Sequence, residues 1–594
     1  MERVVSYSFS VLLILLSSTA AFGRHPKVAS DLDSVDRDAT INVIVQFNQT
    51  PTNAHHAKVL KHGGKHRTSL ELVKGGSYSM PASEVEALAG DPDVAFISPD
   101  HPVTGALDLT AAAVNASAAA NYQLDGSNIG IAVLDSGVNA AQDFDNRVVY
   151  SEDFTGQGVT ADTYGHGTHV AGIIAGTGVA AGSNATRVFR GIAPKARIVN
   201  LRVLNNTGAG SDSAVIAAIQ RAIALKSKYN IRVMNISLGR PVTTSYKSDP
   251  LCQAVEAAWN AGITVVVAAG NYGRINNGGI NGYGTIGAPG NDPYVITVGA
   301  MKTMGTPGRG DDLIASYSSK GPTLYDHVVK PDLVAPGNQV RSDLSSTQSY
   351  LYTLYAAFAG VPLSYYRKTT SNTLSSNYFT LNGTSMATPV VSGAAALLIQ
   401  RNSSITPDQV KAQLMKTAYK SFPASSTTTD PTTGQTYTSY YDVFTIGAGY
   451  LDIQALLQCN DAVNGNALSP VAVYNASTGR GTMSFASGSV WSNSLVWGTS
   501  LVWGASAVQG SSLVWGTSLV WGASLVWGAS GPASGFSLVW GTGTNGTVDP
   551  ASIVWGAGGL TVDSNRVNTS SADLGSPISA NPSNPITILT LGEQ

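Results

Sequence analysis

Short runs rich in Val, Ile and Leu alternate with longer amphipathic stretches through the middle of the chain. Such runs occupy residues 129–134, 233–237 and 264–269, and strands buried on both faces of a sheet have this pattern. The stretches between them, 212–226 and 249–261 among others, have the length and spacing of helices. This alternation predicts an α/β fold in which helices cover both faces of a parallel sheet.

The beginning of the sequence has a different pattern. An apolar core at 11–16 follows Arg3 and precedes a zone of small residues, so residues 1–23 are expected to be a cleaved secretory signal. The core is shorter than the roughly 20 residues that a membrane span needs. No other stretch of the sequence is expected to cross a bilayer. We therefore expect a secreted protein without a transmembrane segment.

A small α+β unit is expected over residues 24–106. Residues 41–47 and 93–98 have strand composition, and residues 82–89 have the pattern of a helix. The spacing between these elements is short, as in a compact domain of its own. This unit precedes the region of alternating strands and helices, which we place at residues 107–457.

Residues 382–399 form the most apolar stretch of that region. A loop with Gly383 leads into an uncharged helix rich in small residues, and Pro389 is expected in its first turn. Ser385 lies at the expected helix N-terminus, where unpaired N–H groups can stabilise an oxyanion. A serine that merely caps a buried helix would explain this stretch equally well if it stood alone.

Two further stretches carry the chemistry that would complement Ser385. Asp135 ends the apolar run that begins at Ile131, and ligands of open α/β sheets gather at such carboxyl ends. His166 opens a second helix of small residues, whereas His169, one turn further, is expected to be structural. Asp, His and Ser can supply an orienting carboxylate, a general base and a nucleophile.

Four blocks of the sequence together resemble the signature blocks of the subtilisin family of serine proteases. The blocks are Asp135-Ser-Gly, His166-Gly-Thr-His-Val-Ala-Gly, Gly383-Thr-Ser-Met-Ala-Thr-Pro and the strand Val265-Val-Val-Ala-Ala-Gly-Asn271. They occur in the family's order, and the similarity extends over about residues 122–457. The resemblance implies a subtilisin-like fold and a serine-type endopeptidase that works through an acyl-enzyme.

The resemblance also implies a role for each matched residue. Asp135 would orient His166, His166 would take the hydroxyl proton of Ser385, and Ser385 would attack the peptide carbonyl. Asn271 would form the oxyanion hole together with the backbone N–H of Ser385. The residues expected to bind the substrate chain and to line its side-chain pocket are small or uncharged: Gly208, Gly210, Ser237, Leu238, Gly239, Ala269, Gly270 and Gly287.

Those residues predict the substrate class. An extended polypeptide would add to the segments around Gly208 and Ser237 through main-chain hydrogen bonds, which do not depend on sequence. Broad specificity is therefore expected, with room for a large apolar side chain. The position of residues 24–106 resembles that of the family's inhibitory pro-region, so the protein is expected to be a zymogen inhibited by its own pro-region. An ordinary accessory domain is the alternative.

Composition changes this picture little. Charged residues make up 12% of the 594 residues and the net charge is −2, which gives no reason to expect nucleic acid as a partner. The only cysteines, Cys252 and Cys459, form neither a disulfide framework nor a metal motif, and a single bridge or two free thiols stay open. No cofactor is expected. Calcium stabilises many relatives, but Asp143 and Asp145 alone do not define a site.

The region 458–594 contains a repeat with a period of six residues. Each unit reads Ser-Leu-Val-Trp-Gly-Thr/Ala, and in an extended strand its Leu and Trp share one face. We expect a β-rich tail that either self-associates or attaches the protein to a surface, including that of the cell; a packed stabilising domain is the alternative. The repeat tryptophans are Trp491, Trp497, Trp503, Trp515, Trp521, Trp527, Trp540 and Trp555.

Two alternatives stay open at this point. The stretch 342–379 is longer than a minimal family member needs and rich in Tyr, so it is either a rim for the substrate or a packed insertion. The whole chain could also be a catalytically silent binding or adhesion protein that displays the tryptophan repeat. Retention of all four catalytic positions argues against silence.

Overall fold

The chain divides into two units, Met1–Thr104 and Gly105–Gln594. The computed structural model describes residues 25–29, 32, 35–100, 109–139, 142–275, 281–430, 433–461, 463–475, 480–492, 501–503, 513–515, 538–540, 553–555 and 593. The predicted signal at 1–23 and most of the tryptophan repeat therefore lie outside the described residues. In the described part of the chain, no helix combines the length and the apolar character that crossing a bilayer requires.

The first unit is a small α+β fold. Its strands form an antiparallel sheet in the order β2-β3-β1-β4, and its core includes Val43, Val45, Tyr78 and Ile97. The elements in chain order are β1 (Thr40–Phe47), α1 (Asn53–Lys61), β2 (Lys65–Leu70), β3 (Gly75–Pro81), α2 (Val85–Ala89) and β4 (Val94–Pro99).

The second unit is built on a sheet of eight strands. The order is β11-β10-β9-β8-β5-β7-β6, with β12 paired to β10, and all neighbours are parallel except β10 and β11. The strands are β5 (Gly130–Asp135), β6 (Val148–Asp153), β7 (Arg197–Arg202), β8 (Ile231–Ile236), β9 (Thr264–Ala268), β10 (Ile296–Lys302), β11 (Leu313–Ile314) and β12 (Leu333–Pro336).

Helices pack on this sheet and leave its central strands without exposed residues. Every residue of β5 and of β9 is buried, so both faces of the sheet are covered. The predicted α/β class with a mostly parallel sheet is confirmed. The helices are α3 (Thr110–Ala113), α4 (Ala118–Asn121), α5 (Gly167–Ala175), α6 (Asp212–Tyr229), α7 (Pro250–Asn260), α8 (Tyr350–Ala359), α9 (Leu363–Tyr366), α10 (Thr384–Arg401), α11 (Pro407–Thr417), α12 (Val443–Ile446) and α13 (Ile453–Gln458).

Helix α10 is the centre of the second unit. It packs against α5 and against β8, β9, β10 and β12, and its residues from Met386 to Ile399 are buried. Small residues make this possible, since a Cβ on Gly393 would lie 2.6 Å from the Cβ of Ile192. Pro389 lies inside α10, beyond the first turn where the sequence predicts it, because the helix begins at Thr384.

The remaining strands form small sheets. β13 (Val340–Asp343), β14 (Gly360–Pro362) and β15 (Leu374–Leu381) make a sheet in the order β13-β15-β14. The other strands pair in twos: β16 (Ser425–Thr429) with β17 (Thr436–Tyr440), β18 (Val471–Asn475) with β19 (Arg480–Ser484), β20 (Leu501–Trp503) with β21 (Leu513–Trp515), and β22 (Leu538–Trp540) with β23 (Ile553–Trp555).

The packed core of the second unit extends beyond residue 457. Val463 and Trp491 share a cluster with Val329 and Phe444, and the Trp491 indole donates a hydrogen bond to the Leu468 carbonyl at 2.7 Å. The first repeat tryptophan therefore packs into the core of the second unit. Both cysteines are free thiols, which excludes the bridge that the sequence left open.

Candidate active site

The end of β5 brings Asp135 and His166 together. Asp135 is the last residue of the strand and is fully buried, and His166 is the residue before the first turn of α5. Their side chains form a hydrogen bond of 2.7 Å between His166 Nδ1 and Asp135 Oδ1. Burial disfavours protonation of His166, but the charge and the hydrogen bond of Asp135 outweigh it and raise the pKa of His166 above its ordinary value.

A buried carboxylate that the sequence analysis missed holds the loop around His166. Asp162 accepts hydrogen bonds from Gly165 N at 2.7 Å, Thr168 N at 2.9 Å and Ser136 Oγ at 2.8 Å. Asp162 therefore fixes the backbone on both sides of His166. Its signal in the sequence is a lone acidic residue four positions before the histidine, in a stretch (154–165) that carries no other charged residue.

Ser385 enters the site from the first turn of α10. It is half-buried, and its N–H belongs to the first turn, where no helical carbonyl precedes it as an acceptor. Gly383 makes this entry possible because its φ of 136° lies in a region that favours glycine. The structure places the serine backbone N–H at the positive end of a long buried helix.

Pro389 has a consequence for Ser385 that the sequence analysis did not foresee. A proline has no N–H, so the carbonyl of Ser385, four residues earlier, loses its helical donor. The Ser237 hydroxyl replaces that donor with a hydrogen bond of 2.8 Å to the Ser385 carbonyl. Ser237 in turn accepts from Asn235 Nδ2 at 2.9 Å, and Asn235 Oδ1 accepts from Ser392 Oγ at 2.8 Å. This neutral chain ties the start of α10 to β8.

Asn271 is held in one orientation by Thr384. Its Oδ1 accepts from Thr384 N at 2.9 Å and from Thr384 Oγ1 at 3.0 Å. Because the oxygen is used in this way, the Nδ2 donors are left for the cleft. They lie close to Gly383, where an added Cβ would be 3.0 Å from Nδ2. A side chain at residue 383 would therefore obstruct the Asn271 amide.

The predicted substrate-binding residues fall into two groups. Segments 237–240, 268–270 and 287–289 lie side by side, since Gly287 N donates to Ala269 O at 3.0 Å and Ala288 N donates to Arg240 O at 2.8 Å. This group contains Ser237, Leu238, Gly239, Ala269, Gly270 and Gly287. Ser237 has its hydroxyl engaged by the Ser385 carbonyl.

The second group lies at Gly208 and Gly210. Gly210 forms a β-bridge with Leu204, and a Cβ on Gly208 would lie 2.5 Å from the ring of Tyr164. Tyr164 also contacts the His166 ring at 6.4 Å between centroids. The structure thus places Tyr164 between the predicted substrate strand and the histidine.

Helix α8, from the long insertion, continues this aromatic surface. Tyr350 stacks on Tyr164 with ring centroids 5.9 Å apart. Along the same helix, Leu354 and Phe358 follow Tyr350 at intervals of four residues and have exposed fractions of 52% and 74%. Residues four apart share one face of a helix. An exposed apolar stripe, Tyr350–Leu354–Phe358, therefore starts next to Tyr164.

The other sequence candidates do not join the site. His169 is buried, its Nε2 lies 3.1 Å from the carbonyls of Val340 and Phe379, and burial lowers its pKa to about 3. Both carboxylate oxygens of Asp143 accept hydrogen bonds, from Ala180 N at 2.7 Å and Tyr378 Oη at 2.9 Å, whereas Asp145 is exposed.

Asp143 lies beside a second buried carboxyl group, that of Asp343. Burial, together with the nearby charge of Asp143, raises the pKa of Asp343 well above its usual range, so Asp343 stays protonated beside it. Over the part of the chain that the structure describes, no cluster of three or more His, Cys, Asp or Glu residues could hold a metal ion.

Known proteins resemble this chain across the site. The sequence model of the Subtilase family matches residues 126–442. Serine protease AprX of Bacillus subtilis (strain 168) is 38% identical over 303 residues, which are 49% of this chain and 61% of AprX, somewhat less than two thirds of that relative. Subtilisin E of the same strain is 30% identical over 422 residues, 70% of this chain and 93% of subtilisin E.

A solved structure of a cold-adapted subtilisin-like serine proteinase is 29% identical, covers 50% of this chain and 84% of its own, and has a TM-score of 0.36. The family match alone takes in more than half of the 594 residues. It confirms the family that the four sequence blocks predict. The chain belongs to the subtilase family and is a serine-type peptidase.

Proposed function

We propose that this protein is a secreted serine endopeptidase that hydrolyses peptide bonds with broad specificity and is made as a zymogen. The single observation that carries the proposal is the 2.7 Å hydrogen bond between His166 and Asp135 at the carboxyl end of β5. The helix that follows His166 packs against α10, which begins at Thr384 and presents Ser385 in its first turn. This arrangement supports an Asp135–His166–Ser385 triad.

The proposed reaction begins with proton transfer from the Ser385 hydroxyl to His166 Nε2. The serine oxygen attacks the peptide carbonyl, and Asp135 stabilises the imidazolium through Nδ1. The negative charge on the carbonyl oxygen is met by Asn271 Nδ2 and the Ser385 N–H, and each such donor contributes about 3 kcal/mol. His166 then protonates the leaving amine, and water releases the acyl group. No step needs a cofactor.

The proposed substrate is an extended polypeptide. Its main chain would pair with the segments at Gly208–Gly210 and Ser237–Gly239, and its side chain would enter the pocket closed by Ala269, Gly270 and Gly287. The walls of that pocket carry no charge, which favours apolar side chains. The stripe Tyr350–Leu354–Phe358 supports the same preference, because it is exposed and its first residue stacks on Tyr164, which lies near His166.

The zymogen part of the proposal concerns the first unit. It has its own core and a four-stranded sheet, as expected for a body that folds separately from the peptidase. We propose that it acts as the intramolecular inhibitor and is cut away by the enzyme itself. N-terminal sequencing of purified wild type and of Ser385→Ala tests this: a new N-terminus in the wild type alone supports self-processing, and the same N-terminus in both contradicts it.

The tail proposal is that the tryptophan repeat attaches the protein to a surface or to further copies. Its support is the repeat pattern, together with the short paired strands β20 to β23. Deleting residues 504–552 removes repeats while sparing the packed Trp491. Loss of cell retention or of oligomers supports attachment. If cell retention, oligomeric state and activity do not change, the proposal that the repeat attaches the protein is wrong.

Hydrolysis of casein by the wild type and by Ser385→Ala tests the central proposal. We expect the variant to lose roughly 10⁴-fold or more in kcat, because the nucleophile is gone and only binding and the oxyanion hole remain. Ser403→Ala, at an exposed position, is the matched control and should retain full activity. A serine-directed covalent inhibitor should label Ser385 in the wild type. A wild type that neither hydrolyses casein nor reacts would support the silent binding protein instead.

A further inference from the structure

A buried pocket behind the Asn271 loop contains two cationic side chains. Arg274 and Lys302 are 7% and 3% exposed. Arg274 donates to Asp430 Oδ2 at 2.9 Å, whereas Lys302 donates to the neutral hydroxyl of Thr428 at 3.0 Å. A buried ammonium group that has no counter-charge is strongly disfavoured. Lys302 therefore needs a second carboxylate in this pocket as its counter-charge.

Glu593 supplies that carboxylate. Its Oε1 accepts from Arg274 Nη2 at 2.9 Å and from Ser316 N at 2.9 Å, and it also contacts the Ser316 hydroxyl. Its Oε2 lies 3.0 Å from Lys302 Nζ. Glu593 itself is 3% exposed. One oxygen of the carboxylate is thus hydrogen-bonded, and the other lies at ion-pair distance from Lys302.

The main chain of Glu593 is recognised as well as its side chain. Asn338 Nδ2 donates to the Glu593 carbonyl at 2.7 Å, and Glu593 N donates to Asn338 Oδ1 at 2.9 Å. One amide side chain therefore satisfies both backbone groups of a residue 255 positions further along the chain. Recognition of the backbone together with a carboxylate distinguishes a binding site from a chance ion pair.

The pocket is connected to the proposed oxyanion hole along the Asn271 loop and through one hydrogen bond near Ser385. Arg274 follows Asn271 on the same loop, and that loop is pinned where Gly273 N donates to Tyr317 O at 2.8 Å. Asn338 follows Gly337, whose carbonyl accepts from Gly383 N at 2.8 Å, two residues before Ser385. Glu593 thus joins the loop that carries Asn271 to the segment that leads into α10.

We propose that this pocket is a binding site for an acidic residue, that its ligand is Glu593 of this chain, and that the bound carboxylate positions the Asn271 loop. The site is defined by Arg274, Lys302, Ser316 and Asn338. Glu593 is a positioning residue, because it acts on the reaction through Asn271. This last part rests on the proposed function, whereas the binding site does not.

A double-mutant cycle in the full chain tests the binding site. Glu593→Gln and Lys302→Met are made singly and together in a Ser385→Ala background, which prevents autolysis, and Tm is measured. We expect Glu593→Gln to lower Tm by roughly 5 °C because two buried cations lose their partner, and to lower it less when Lys302 is already Met. Equal falls in both backgrounds, or no fall, would overturn the site.

Two controls keep this experiment decisive. Lys411→Met removes another buried lysine, whose partners include Asp332 and Ser469, and it should add to Glu593→Gln without coupling. Gln594→Ala changes the neighbouring residue and should leave Tm unchanged. If Lys302→Met fails to fold, a fall in Tm for Glu593→Gln but not for Gln594→Ala supports the site, and equal Tm values contradict it.

Kinetics of the active chain test the positioning role separately. Glu593→Gln should lower kcat several-fold and leave KM nearly unchanged, because the oxyanion hole acts on the transition state and not on substrate binding. Gln594→Ala should leave both constants unchanged. A fall in Tm without a fall in kcat would overturn the positioning role and leave the binding site standing. A wild type without Ser385-dependent activity would instead contradict the proposed function.

Discussion

Helices α5 and α10 both begin beside a residue of the proposed triad, yet different forces hold their first turns. At α5 the forces are ionic: Asp135 binds the His166 ring and Asp162 gathers the surrounding N–H groups. At α10 they are neutral: Ser237 holds the Ser385 carbonyl and Asn271 holds Thr384. A charged carboxylate therefore orients His166, whereas neutral hydroxyl and amide groups hold the backbone around Ser385.

The chemistry gives a reason for this difference. A general base needs a tuned pKa, and a buried carboxylate is the strongest means of raising the pKa of an imidazole. The oxyanion forms beside the serine, where a carboxylate would repel the developing negative charge, so hydroxyl and amide donors are suited to that side. We expect pH to act on the α5 side of the site and to leave the α10 side unaffected.

Among the variants that compare the starts of α5 and α10, Asp135→Asn should have the largest effect. The asparagine keeps the shape but cannot stabilise the imidazolium and favours the wrong tautomer, so we expect kcat to fall about 10⁴-fold. His166 must be neutral to act as a base, so activity is lost as pH falls through its raised pKa. Removing the charge of Asp135 lowers that pKa, and the acid limb of residual kcat/KM should move to lower pH.

The matched control is Asp145→Asn, which removes an exposed carboxylate and should leave kcat and the pH profile as they are. The measurement is kcat/KM on one peptide substrate across the acid limb. An acid limb that stays in place in Asp135→Asn would mean that the His166 pKa is not governed by this carboxylate.

Variants of Asn271 separate its two functions, which are to hold Thr384 through Oδ1 and to donate to the oxyanion through Nδ2. Asn271→Ala removes both functions and should lower kcat by about 10²- to 10³-fold. Asn271→Asp still accepts from Thr384 but places a negative charge where Nδ2 points, so we expect a larger loss than with alanine and little change in KM. Steady-state kinetics at one pH decide. An aspartate variant more active than the alanine variant would show that Asn271 only holds Thr384 and does not donate to the oxyanion.

The positions of several strands and helices could be predicted from the pattern of apolar residues. The runs at 129–134 and 264–269 predict β5 and β9 because strands buried on both faces have no polar alternation to obscure them. Helix α6 runs from Asp212 to Tyr229 and ends at Asn230, whose φ of 50° stops it slightly later than the pattern suggests. Local sequence carries such boundaries.

The supporting contacts of the site could not be predicted in the same way. Ser237 meets the Ser385 carbonyl only because Pro389 lies within α10, and that depends on the register of two elements 148 residues apart. Asp162 finds its three donors through a loop conformation, and Glu593 finds its cations across 319 residues. Each is a polar residue whose partner is fixed by tertiary packing, which periodicity does not encode.

Ser237→Ala should have the smallest effect on kcat, and it tests directly whether the contacts of α10 are independent of the charge at α5. It leaves the half-buried Ser385 carbonyl without its side-chain donor, which costs about 1 kcal/mol of unfolding free energy, and we expect kcat to fall less than tenfold. Because the lost group is neutral, the acid limb should stay where the wild type has it. Ser392→Ala breaks the same chain of hydrogen bonds at its far end and should cost less than Ser237→Ala. Denaturant unfolding in the Ser385→Ala background and kcat across pH measure both. An acid limb displaced by Ser237→Ala would show that the two sides are coupled, and the separation between a charged base and a neutral frame would not hold.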